Sequence, residues 1–148
     1  MYELSALLAK HETLLRHVSV RRGARVVPLA QSIAMIPLTD ALHEALRRAR
    51  ETAPAEPASS GLEPALEAWA QGISQDSAVA YVEAGYAGGI GGQKAVVWTD
   101  GQRVLGPLDA SDAINQSLRL LGVSAEGTES DEFDAIGLGA HRHTEKWI

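Results

Sequence analysis

Three groups of residues in this chain carry side chains or backbone suited to chemistry. His141, His143 and Glu145 alternate near the C-terminal end. In an extended segment they share one side, and imidazoles with a carboxylate can ligate zinc, iron or nickel. The order is not HExxH, so a metal site competes with an exposed tail whose histidines bond neighbouring loops. The second group is Glu126, Glu129, Asp131, Glu132 and Asp134, five carboxylates in nine positions. A catalytic carboxylate pair needs one acid in an apolar pocket that raises its pKa. Acids clustered among Gly, Ser and Thr read instead as a solvated loop, or as a surface for a basic patch on another protein. An EF-hand is excluded, because residues 131–134 lack alternating ligands and a central glycine. The third group is Gly85-Tyr86-Ala87-Gly88-Gly89-Ile90-Gly91-Gly92, five glycines in eight residues. A phosphate-cradling glycine loop feeds a helix. This one feeds Lys94-Ala95-Val96-Val97-Trp98, which is β-branched and aromatic and reads as a strand. It is therefore neither a P-loop nor a dinucleotide fingerprint. It reads as a wide turn with bulges, a flap over a partner, or a nest of backbone amides. Tyr86 and Ile90, if exposed, are natural anchors for a protein partner.

The elements that must position these groups follow from periodicity. Leu4, Leu7, Leu8, Leu14, Leu15 and Val18 recur at helical spacing, which predicts an amphipathic helix over residues 3–18. Residues 25–29 and 33–36 read as a hairpin, placed at an edge by Pro28 and Pro37. Thr39 predicts a capped helix to about Arg50 with Leu42 and Leu46 inside. Residues 51–61, ETAPAEPASSG, read as a flexible loop. Ser60 and Glu63 have capping-box spacing ahead of a helix at 62–73. Residues 78–106 predict an antiparallel meander, with Asp100-Gly101 as its hairpin turn. Ser111 predicts the cap of a helix closed by Gly122. Residues 127–134 predict a loop, and residues 135–139 a short last strand. The sum is an α+β fold, one domain over residues 1–148, with an antiparallel sheet and helices packed on one face.

Composition narrows the partners. Acids outnumber Lys plus Arg by 19 to 13, a net charge of −6. That disfavours nucleic acid, whose binding depends on basic side chains, and anionic membrane surfaces. It suits a basic protein partner. Without cysteine there are no disulfides, thiolate metal sites or Cys nucleophile. No GxSxG elbow marks a serine nucleophile. Neither a signal peptide nor a bilayer-length apolar run is present. The expectation is a cytoplasmic protein of bacterial type, with no cofactor apart from the metal that the His-x-His-x-Glu segment could hold.

The run AYVEAGYAGGIGGQKAVVW, with GVSAEGTESDEFDAIGLGAHRHTEKW near the end, resembles small bacterial proteins of toxin immunity from polymorphic toxin systems. The resemblance covers residues 78–148 and, more loosely, the VVPL…MIPLTDAL segment. It implies a non-enzymatic inhibitor that covers the active site of a toxin, and no functional residue is carried over from it. The negative charge adds the expectation that the toxin is basic. The leading expectation is thus an immunity-type binding protein using Tyr86, Ile90 and the five acids. The alternatives are a metal-binding protein or metal-dependent enzyme built on His141, His143 and Glu145, and a structural subunit that dimerises through its first helix.

Overall fold

A computed structural model describes residues 1–20, 23–52, 62–125 and 131–147. Among them, six antiparallel strands form one sheet: β1 (Tyr2–Lys10), β2 (Val27–Pro28), β3 (Ile33–Pro37), β4 (Val79–Ala87), β5 (Ile90–Thr99) and β6 (Gln102–Asp109), in spatial order β2-β3-β1-β4-β5-β6. The helices are α1 (His11–His17), α2 (Asp40–Thr52), α3 (Pro64–Ile73), α4 (Ala113–Leu120) and α5 (Glu132–Ile136). The fold is α+β, and its meander is β4-β5-β6.

The first element differs from the helix expected over residues 3–18. Tyr2–Lys10 is a central strand, and only His11–His17 is helical. Leu4, Ala6, Leu7, Leu8 and Ala9 are all buried. A strand covered on both faces loses its alternation and becomes a continuous apolar run, which periodicity cannot separate from a buried helix. Leu4, Ala6 and Leu8 enter one core, while Leu7 and Ala9 enter the other.

Those two cores correct a second expectation. The helices lie on both faces of the sheet, not one. Ile114 and Leu118 of α4 and Ile136 of α5 pack with Leu4, Val82 and Val97. On the opposite face, Leu42 and Leu46 of α2 and Leu66 and Trp69 of α3 pack with Leu7, Ile36, Val96 and Trp98.

Local signals were mostly realised. Thr39 Oγ1 accepts a hydrogen bond from Leu42 N (3.2 Å) at the start of α2. Asp100 and Gly101 have φ of 53° and 77°, as a type I′ turn requires. The hairpin at residues 27–37 forms, with Val27 opposite Met35. Others were displaced. Asp112, not Ser111, occupies the N-cap of α4 without a cap bond of its own, and Gln93 Oε1 from β5 accepts from Ile114 N (2.9 Å) instead. Residues 135–139 do not form a strand; α5 ends there, at Gly137 with φ of 86°. Glu51 and Thr52 belong to α2. The rest of the expected loop, including Ser60, lies outside the described residues.

Candidate functional site

The glycine segment is a tight hairpin rather than a wide turn. Gly85, Tyr86 and Ala87 end β4, Ile90, Gly91 and Gly92 begin β5, and Ala87 pairs with Ile90. Gly88 and Gly89, with φ of 61° and 79°, are the two-residue turn. Gly91 is obligatory for a different reason: a Cβ there would meet Gly85 O at 1.8 Å. Tyr86 is half-buried against the α4 core. Ile90 is 82% exposed. The last pair of β6 is Asp109 with Lys94, so residues 90–92 of β5 have no strand partner on that side among the described residues.

The acidic segment is engaged within the fold where it is described. Asp131, expected in a loop, is the N-cap of α5; its carboxylate accepts from Asp134 N (2.9 Å) and from Asn115 Nδ2 (3.1 Å). Glu132 is buried and meets Arg119 Nε at 2.5 Å. The Arg119 guanidinium holds the Glu132 carboxyl below the usual carboxylate range. Asp134 is exposed. Glu126 and Glu129 lie outside the described residues. Phe133 packs edge-on against Tyr2, with ring centroids 5.7 Å apart.

His141, His143 and Glu145 are not gathered into a ligand set. The tail is not extended there: Thr144–Trp147 is a 3₁₀ turn. Glu145 turns to α2, where its Oε1 accepts from Asp40 N (3.0 Å). His141 meets Trp147 edge-on, with ring centroids 4.7 Å apart. Among the described residues no group of three or more His, Cys, Asp or Glu side chains could hold a metal ion.

The tail acts as a clasp. β3 pairs with β1 only as far as Pro37 opposite Ala6. Beyond that point the tail covers the exposed flank of β1: Glu3 N donates to Arg142 O (2.7 Å), and Ser5 N donates to Thr144 Oγ1 (3.0 Å). Thr144 is buried, and its hydroxyl donates to the Glu3 carboxylate (2.8 Å to Oε2).

Between this clasp and the glycine hairpin lies a cleft of about 650 Å³. It forms where the α2–α3 layer stops short of the end of the sheet. Period-two alternation places Ser5, Glu83 and Lys94 on the same face as Leu7, Tyr81 and Val96, one pair further along. Ser5, Glu83, Lys94 and Asp109 are directly opposed across β1, β4, β5 and β6. His43 reaches in from α2, its Nε2 3.3 Å from Ser5 Oγ. Tyr81 O–H donates to Glu83 Oε2 at 2.5 Å. Burial pushes the Tyr81 phenol well above the usual tyrosine range, and the bond to Glu83 adds to the shift. Lys94 forms no salt bridge with Glu83 or Asp109 despite standing between them. The next row is Gly85 opposite Gly92, and a Cβ at either would meet nothing within 4 Å. The floor there is bare backbone.

None of this constellation was singled out from sequence, because Ser5, His43, Glu83 and Lys94 come from three distant segments. One signal was available. Val79-x-Tyr81-x-Glu83 and Lys94-x-Val96-x-Trp98 are alternating stripes that each end in a charge, which marks where the covered face opens to water.

No described helix is long and apolar enough to cross a membrane. No protein-family model, curated protein or solved structure matches the chain.

Proposed function

We propose that this chain is a cytosolic protein-binding module of the immunity type, which neutralises a basic toxin by direct binding. The observation that supports this reading best is Ile90. It is the most exposed of the large apolar side chains described, at 82%, and it sits beside a turn on a strand edge left bare by β6. An unpaired edge with an apolar side chain is a template for another chain. The net charge of −6 favours a basic partner and steers its approach. The contact surface centres on the hairpin, Tyr86 and Ile90, with Asp134 and the acidic segment as a charged flank. Asp131 and Glu132 hold α5 in place and contribute less to a partner than the hairpin does.

The test is a pull-down from the source cells, followed by affinity measurement with whatever basic protein is recovered in stoichiometric amount. Ile90→Asp leaves the fold intact, because the side chain packs against little. It is expected to weaken the complex at least ~10-fold, as loss of an interface anchor does. Recovery of the same protein with unchanged affinity by the variant would overturn the hairpin as the contact surface. Recovery of no basic protein would overturn the inhibitor reading.

A further inference from the structure

We infer that the cleft between the tail clasp and the glycine hairpin is a binding site for a small ω-amino acid, a zwitterion whose ammonium meets Glu83 and whose carboxylate meets Lys94. The inference goes beyond the protein-binding reading and does not rest on it, although the two sites share Gly92.

Opposite charges at directly paired positions of neighbouring strands normally join. Here they do not. Glu83 is oriented by the Tyr81 hydroxyl (2.5 Å), a neutral donor that fixes the carboxylate without cancelling its charge. Lys94 is half-buried and forms no salt bridge among the described residues. Two opposite charges therefore stand on paired positions of neighbouring strands without meeting, and both residues line the cleft.

The adjacent row supplies the room. Gly85 and Gly92 are opposed immediately beside Glu83 and Lys94, and the space above both is open. A short methylene stem laid over the two glycines runs parallel to the line from Glu83 to Lys94. Its ends then present one charge to each. The flanks set polarity and limit. Glu3 stands opposite Gly85 on β1, with its carboxylate fixed by Thr144 at 2.8 Å, and so reinforces the ammonium end. Glu3 and Glu83 together repel a second carboxylate at that end, while Asp109 lies across Lys94 on β6. The site therefore accepts one carboxylate and rejects a dicarboxylate.

The test is an amide NMR titration of the full chain with γ-aminobutyrate, a short ω-amino acid, against butylamine, butyrate and succinate. Resonances of Gly85, Gly92 and Ser5 are expected to shift with γ-aminobutyrate, and each of the other three to bind at least ~10-fold more weakly. Lys94→Met and Glu83→Gln should each abolish the response. Gly92→Val fills the floor at a strand position with room for a side chain, so it should fold normally and also fail to bind. The absence of shifts at millimolar γ-aminobutyrate would overturn the proposal. So would equal binding of butylamine or butyrate, or undiminished binding by folded Gly92→Val.

Discussion

Tyr81 joins the core to the cleft: its ring is buried beside Leu7 and Trp98 while its hydroxyl serves Glu83. Replacing it with Phe keeps the packing and removes one hydrogen bond to a carboxylate, at a cost of about 1.5–3 kcal/mol. The raised phenol pKa also fixes a sign. The fold favours the neutral form, so the contribution is complete below the unfolded value of about 10 and is lost as pH rises from there through the native value. Urea midpoints of the wild type should fall above about pH 10, and the fall should be shallower in Tyr81→Phe. Asp76 behaves oppositely. His17, 2.7 Å away, and Arg16, at 3.2 Å, hold its carboxyl below the usual range. Its contribution is present above about pH 4 and is lost as pH falls through the lowered native value. Stability of Asp76→Asn should therefore depend less on pH in that acid window. Trp98 is a separate case. It is fully buried, and its indole N–H has no acceptor among the described residues, so packing, not hydrogen bonding, accounts for its place.

At the scale of elements, two small contacts fix how strands and helices meet. Ser74, buried after α3, accepts from Gly101 N (2.8 Å) and donates to Gln71 O (2.7 Å), tying the β5–β6 turn to the helix. Ser74→Ala leaves Gly101 N–H without that partner and should cost about 1–3 kcal/mol in chemical denaturation. Thr144→Val removes the hydroxyl's bonds to the Glu3 carboxylate and to Ser5 N, leaving the clasp the backbone bond from Glu3 N to Arg142 O. It should cost a similar amount and broaden the amide signals of residues 142–147. The β5–β6 turn was legible because Asp-Gly is a local signal with a local cause, and so were Thr39 and the strands of the meander. β1 was not, since its burial on two sides erased the alternation that identifies a strand. Nor was the clasp. His141, His143 and Glu145 look like ligands in sequence, but their places are set by β1 and α2, more than a hundred positions away. The cleft was illegible for the same reason: it exists only once β1, β4 and β5 are in register and α2 hangs over their end.

At the scale of the molecule, one sheet separates two cores. Leu118 is fully buried in one and Leu46 in the other. Each truncation to Ala should cost about 2–5 kcal/mol. Because a layer of sheet stands between them, the double variant should lose the sum to within about 0.5 kcal/mol. If residues 1–148 form one cooperative unit, fluorescence of the tryptophans and far-ultraviolet circular dichroism will report a single coincident transition in every variant. Two transitions would divide the chain.

The position of β1 has a consequence for synthesis. It is made before both of its neighbours, yet it lies between β3 and β4, and its Ala9 pairs with Val79. A ribosome must therefore release the chain beyond Val79 before this strand has both neighbours. Until then an apolar segment, Leu4 to Ala9, travels with one edge bare, and non-local pairing of this kind is slow to form. A chaperone that holds short apolar segments would find its substrate in β1 during that interval.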